Sequence, residues 1–246
     1  MTTSPWRTLL DALAASLAPS GLDLTAPMRV DWYNRHEPAP IRLPEPAGPG
    51  SLAVVVGNSV AMWPPFLQGV RDEPGLLEGQ HPLDAWVERR VLAALAGLPV
   101  RPSSVHWVNG PGSRSFSMQR AAVATGLVGM APCRLTIHRG VGLWFGLRAV
   151  VLFDCEGPVE PLWAEPFPCA SCTERPCLPL LERALGAAAE GAQAPSMMGV
   201  RQRWEPWFAM RDACPHGREH RYGELQVRYH YSKQRRFLEE ALGALG

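Results

Sequence analysis

The sequence predicts an α+β protein in which helices pack on one central sheet of antiparallel or mixed strands. Three observations predict it. Apolar residues recur at helical spacing in several stretches, and short apolar runs of strand length stand between them. The connections include both tight turns and longer crossovers, which favours a mixed layer architecture. With 246 residues, 46% of them hydrophobic, the chain can bury a sizeable core. No compositional break divides 1–246, which reads as a single domain. A Pro- and Cys-rich element over 156–220 reads as an appended part that completes a pocket.

The elements follow in order. Ser4 stands as an N-cap and Pro5 at the first helical position, and Trp6, Leu9, Leu10, Leu13 and Leu17 share one face. Arg7 and Asp11 interrupt what a secretion signal would need as its apolar centre. Residues 22–32 read as extended and 35–50 as a proline-rich connection. Residues 52–56 form a strand ended by Gly57-Asn58. Leu83, Trp86, Val87, Val91 and Leu95 make the stripe of a second helix, and 104–108 alternates like a strand. Asn109-Gly110-Pro111-Gly112 turns the chain into a third helix, about 118–130. Residues 133–138 and 147–153 read as the two strands of a hairpin, with Gly140 and Gly142 between them. Residues 156–179 read as irregular, 180–190 as a fourth helix, and 224–242 as one last helix.

The net charge of +1 supplies no global attraction to nucleic acid or to an anionic membrane. No run is long and apolar enough to span a bilayer. The expected location is therefore the cytoplasm, where the six cysteines stay reduced and point to metal or redox chemistry before disulfides. Lys233 is the single lysine, which reads as the codon preference of a GC-rich genome.

Cysteines carry the sharpest motif. Cys169-x2-Cys172-x4-Cys177-Leu178-Pro179 is followed much later by Cys214-Pro215. Three thiolates on a short loop and a fourth from another segment can close around a metal. The opening and the Cys-Pro ending suit an iron–sulfur protein, although the full ferredoxin spacing is not met. Three readings stay open: a [4Fe–4S] cluster, a structural zinc that staples the loop to the Arg211 segment, and free thiols. Cys133 and Cys155 read as small buried hydrophobes.

Four segments together resemble the cobalamin-processing family called CblC or MMACHC. They are Val30-Asp31-Trp32-Tyr33-Asn34; the apolar strand from Leu52 through Asn58-Ser59-Val60-Ala61-Met62 with Pro65-Phe66-Leu67; Ile137-His138 with Gly142-Leu143-Trp144-Phe145-Gly146-Leu147-Arg148; and Trp207, Arg211-Asp212-Ala213 and Arg221-Tyr222. They stand in order and at similar spacing over about residues 6–240. The cysteine element is similar to that of bacterial relatives which join a ferredoxin-like cysteine set to a cobalamin-binding domain, as in epoxyqueuosine reductases. The family's animal members carry tyrosines where this chain has Leu127-Val128-Gly129-Met130.

The resemblance implies a nitro-FMN-reductase-like fold that binds cobalamin base-off. It implies removal of the upper axial ligand, by reductive decyanation or by alkyl transfer to glutathione or another thiol. A flavin (FMN or FAD) or an electron-donor protein would supply electrons, and a homodimer is left open. The absence of D-x-H-x-x-G agrees with a cobalt given no histidine from below. Arg148 and Arg211 match positions that line an anionic-ligand pocket for glutathione, and Arg236, or its neighbour Arg235, lies within one residue of a third. Arginine forks suit the two carboxylates of that co-substrate. Trp144 and Phe145, after the turn at Gly142, are candidates for a flat apolar wall against the corrin. His138, Asn58 and Ser59 are candidates for polar contacts. The bland alternatives are core aromatics, a hydrogen-bonded strand-end histidine and a helix cap. Two rival functions remain: a reductase of the same fold without corrinoid, and a non-catalytic, zinc-stapled carrier. No G-x-G-x-x-G stands between a strand and a helix to favour the first of these.

Overall fold

The computed structural model describes residues 4–109, 116–163, 165–189 and 203–245. The predicted turn at 109–112 falls, from residue 110 on, outside the described residues, as does the end of the predicted helix 180–190. The chain divides into two compact units. The first comprises Met1–Gly129 and Phe145–Glu165, and the second Met130–Trp144 and Pro166–Gly246.

The first unit is built on a four-stranded antiparallel sheet in the order β1-β2-β6-β3. Its strands are β1 (Leu24–Arg29), β2 (Ser51–Asn58), β3 (Ser104–Trp107) and β6 (Gly146–Glu156). Strand β2 pairs on one side with β1, Ala26 opposite Val55, and on the other with β6, Val54 opposite Val151. All eight of its residues are buried, so a central strand covered on both faces reads as one continuous apolar run. Pro27, which cannot donate to a ladder, lies in the outer strand β1, where its missing N–H is tolerated.

Around the sheet stand α1 (Pro5–Leu17), α2 (Val30–Asn34), α3 (Trp63–Asp72), α4 (Pro82–Ala96) and α5 (Met118–Ala124). Helix α1 begins with proline in its first turn, as expected, and buries Leu9, Leu10, Leu13 and Leu17. Helix α4 buries Leu83, Trp86, Val87, Val91 and Leu95, the stripe read from the sequence. Phe66 of α3 meets the Trp86 ring edge-on, with centroids 5.6 Å apart.

The second unit holds β5 (Thr136–His138), α6 (Cys177–Ala189), α7 (Glu205–Asp212), α8 (Glu224–Ser232) and α9 (Arg235–Gly243). The chain passes between the units three times, within β4 (Val128–Met130), at Trp144-Phe145 and at Glu165-Pro166.

Four local expectations change. The predicted hairpin of 133–138 with 147–153 does not form: β6 pairs with β2 and β3, and β5 turns back only as far as a bridge between His138 and Gly142. The third helix stops at Ala124, because Gly126 takes a φ of +76° and a Cβ there would lie 2.9 Å from the Trp163 carbonyl oxygen. The last helix is two helices, broken at Lys233, whose φ of +58° is left-handed. Residues 30–34, of which 30–32 fall in the stretch expected to be extended, are helical, held by side-chain bonds from Tyr33 and Asn34 to Ile41 and Leu43.

Leu17→Ala removes a fully buried side chain and should lower unfolding free energy by roughly 2–5 kcal/mol. Leu92→Ala, on the exposed face of α4, should change it by about 0.5 kcal/mol or less. Urea titration of both variants checks the assignment of buried face.

Candidate functional site

The register of β2 and β6 places Arg148. Asn58, the last residue of β2, lies opposite Gly146, so Arg148 two residues on is beside it. Arg148 Nε donates to Asn58 Oδ1 at 2.7 Å, and its Nη1 is 3.7 Å from Asp84 Oδ1 in the first turn of α4. Arg148 and Asn58 are both buried. Asn58 Nδ2 donates to the Ser59 carbonyl, and Ser59 Oγ donates to Asp23 and accepts from the Ala61 N–H as a helix cap. These three residues, expected at a ligand, form an internal polar chain that meets the charge of a buried guanidinium. Phe145 is buried at the start of the same segment.

A cavity of about 520 Å³ opens in the first unit between α2, α5 and the chain after β6. Trp32, Tyr33, His36, Glu37, Arg120 and Pro161 are among its lining residues. The sequence marks the Val30–Asn34 segment but not the cavity it lines, because residues 22–32 read as extended and the helical turn at 30–34 has no local signal. Tyr33 Oη donates to the Ile41 carbonyl and accepts from the Ser117 N–H, which pins α2 to the start of α5. Burial raises the Tyr33 pKa above its ordinary value, so it stays a neutral phenol. The Glu37 carboxylate is 1% exposed and 3.0 Å from Arg120 Nε, which itself is half in water. That approach lacks hydrogen-bond geometry, and neither Glu37 oxygen makes a hydrogen bond among the described residues.

In the second unit Trp144 is completely buried. It meets Tyr222 and Phe208 edge-on, with centroids 5.6 and 6.3 Å away. The Arg211 guanidinium lies 4.6 Å from the Trp144 centroid and 4.8 Å from that of Tyr222, and its Nε donates to the Leu143 carbonyl at 2.8 Å. Burial pulls the Arg211 pKa down, but Tyr231 and Tyr222 beside it outweigh burial and hold it above the ordinary arginine value. Trp144 thus gives its faces to the interior of the unit. Arg236 is exposed on α9, with its guanidinium over the Phe237 ring. Of the three arginines expected at a co-substrate, two have internal partners and Arg236 faces water.

His138 closes a turn. Its Nδ1 accepts from the N–H groups of Gly140 and Val141 at 2.9 and 3.1 Å, which fixes the proton on Nε2 in the neutral ring. Gly142, at φ +60°, is the turn's other end, and a Cβ on it would lie 2.0 Å from the His216 carbonyl oxygen. Only glycine lets the backbone at 142 and the backbone at 216 come this close.

That approach brings Cys214 to the other cysteines. A narrow, mainly apolar cavity is lined by Cys133, Cys169, Cys172, Cys177 and Cys214, together with Ile137, Leu143, Pro176 and His216. The four cysteines of the motif therefore share one place, and Cys133 joins them rather than serving as an isolated buried hydrophobe. Burial pushes the Cys133 thiol up to about 12, helped by Cys177 and Cys169 beside it. Cys169 and Cys214 are also raised, first by burial and then by neighbouring cysteines. All six cysteines are free, and among the described residues no three His, Cys, Asp or Glu groups are placed to hold a single metal ion. Cys155 lies apart on β6, half-buried. A sequence signal for Cys133 was present: Pro132-Cys133, Pro168-Cys169, Pro176-Cys177 and Cys214-Pro215 each pair proline with cysteine, although Cys172 of the same cavity, like Cys155, has no such neighbour.

Asn58→Ala leaves the buried Arg148 Nε without its acceptor and should lower stability by about 1.5–3 kcal/mol. A double-mutant cycle with Arg148→Met should show coupling of about 1 kcal/mol or more, read from urea unfolding.

No protein-family model matches the chain, and no curated protein matches it. No described helix is long and apolar enough to cross a membrane. Among solved structures, a B12-trafficking protein CblC from C. elegans, a human MMACHC homologue, superposes with a TM-score of 0.69. The superposition covers 95% of this chain and 95% of that one, at 16% sequence identity. The architecture, an antiparallel four-stranded sheet with packed helices, is therefore the α+β fold of CblC, adopted over nearly the whole chain.

Proposed function

We propose that this protein binds cobalamin and takes part in removing its upper axial ligand. The observation that carries the reading is the CblC fold over 95% of both chains, met independently by four sequence segments that resemble the same family in the same order. Either alone is weaker, since one fold hosts many functions.

The cavity at α2 supports the reading chemically. One of the four segments supplies its Trp32 and Tyr33. Its volume of about 520 Å³ lies within the range of small-molecule sites. That is room for the edge of a macrocycle rather than for a whole corrinoid. Corrins are fringed with primary amides, which are hydrogen-bond donors. Glu37 offers two buried oxygens that accept no hydrogen bond from the described residues, and such a group gains when a donor arrives. Trp32 supplies a flat apolar surface. Cobalamin bound without a protein base from below favours the base-off form, whose cobalt is the easier to reduce or dealkylate. A thiol such as glutathione would take the alkyl group, and Arg236, exposed on α9, is the arginine of the three open to its carboxylates.

Titration of the purified protein with cyanocobalamin and methylcobalamin should shift the corrinoid absorption to the base-off form. No spectral change at corrinoid well above protein concentration would overturn the reading. Glu37→Gln should weaken cyanocobalamin binding about tenfold, equivalent to ~1.4 kcal/mol, with unchanged circular dichroism. Unaltered affinity in that variant would place the corrin away from α2.

A further inference from the structure

We propose that the five-cysteine cavity of the second unit holds a [4Fe–4S] cluster, ligated by Cys169, Cys172, Cys177 and Cys214 and accompanied by the Cys133 thiol.

The four ligands come from two places that the fold brings together. Cys169 and Cys172 lie on the short turn around Pro168–Ala170, and Cys177 is the first residue of α6. Cys214 follows α7 and is seated by the contact between Gly142 and His216. A helix of 13 residues that begins at a ligand turns its free N–H groups and positive end toward the site. Four thiolates around an iron–sulfur core carry net negative charge, which that end favours.

The surroundings fit a sulfur-bound cluster. Ala131, Pro132, Ile137, Leu143 and Pro215 give the cavity an apolar lining, which includes no carboxylate. Hard cations that prefer oxygen are thereby disfavoured. Zinc in a four-sulfur site needs ligand atoms about 3.8 Å apart, as set by its ~2.3 Å bonds and tetrahedral angles. No three groups among the described residues are arranged to hold a single ion, although five thiols line one cavity. Five thiols converging on one cavity supply the four sulfur ligands that a cluster needs.

Backbone conformation gives a second, independent observation. Three described non-glycine residues have positive φ: Arg134, Arg175 and Lys233. Lys233 ends a helix. The other two flank the cavity, Arg134 directly after Cys133 and Arg175 two residues before Cys177. Left-handed arginines cost energy, and such strain persists where a site requires it. Here it aims two thiols into one cavity.

Cys133 is the fifth thiol, and a cubane takes four. Its place at the wall makes it a positioning residue whose S–H can donate to a cluster or cysteine sulfur and tune the reduction potential.

The test uses the full chain, purified anaerobically and without corrinoid. About four iron atoms and about four acid-labile sulfides per chain are expected, with broad visible absorption that dithionite bleaches by one electron to a paramagnetic state. One zinc per chain without iron overturns the proposal. So does a protein that stays metal-free after reconstitution with ferrous iron and sulfide. Cys172→Ala and Cys214→Ala should each lose most of the iron, whereas Cys155→Ala keeps it. Cys133→Ala should keep the iron and shift the midpoint potential; an iron loss equal to that of Cys172→Ala overturns its assigned role. Circular dichroism shows whether each variant is folded. Because no cobalamin is present, failure here leaves the corrinoid titration to stand or fall by itself.

Discussion

Burying a guanidinium costs several kcal/mol unless its charge is met by well-placed partners, and this chain buries one in each unit. The first unit meets Arg148 with Asn58 and Asp84, which ties the end of β2, the start of β6 and the first turn of α4 to one another. The second meets Arg211 with the Leu143 carbonyl and with the faces of Trp144 and Tyr222. In both units the cation dictates which backbone and aromatic groups must converge. The motif residues nearest each arginine are there first to satisfy it. This explains why Asn58 and Trp144, conspicuous in the sequence, have internal partners.

The fold was legible wherever a local pattern coincided with burial. Helix α1 starts at Pro5 and places its leucines inward, and β2 reads as a strand because every residue in it is covered. What escaped depended on distant partners. Helix α2 is short and rich in β-branched and aromatic side chains, so propensity argues for extension. It is helical because Asn34 bonds both polar groups of the Leu43 backbone and Tyr33 bonds Ile41. The misjudged hairpin has the same origin. Strand β6 is long and apolar enough to be central, and only the assembled sheet reveals that its neighbours are β2 and β3.

The candidate site was legible in type more than in place. The cysteine spacing marked Cys169, Cys172 and Cys177 as neighbours, since short spacing constrains distance whatever the fold, whereas Cys214 is brought to them by the fold. Cys133 lies 36 residues before Cys169 by their numbers, and no spacing rule reaches so far. Proline beside cysteine was the local trace of it. Glu37 was invisible for a different reason. A single glutamate in a proline-rich stretch reads as solvated, and its burial follows from α2 turning where the sequence suggested a strand.

The break between α8 and α9 has a practical consequence. Lys233 sits at that break, partly exposed, beside the Tyr229 ring. As the chain's one lysine, it is the one side-chain amine available to acylating reagents. A fluorophore introduced through an activated ester therefore reports from a defined corner of the second unit, once the α-amino group is blocked. Amine-to-amine crosslinkers, for their part, can join two copies of the protein only through this corner or the N-terminus.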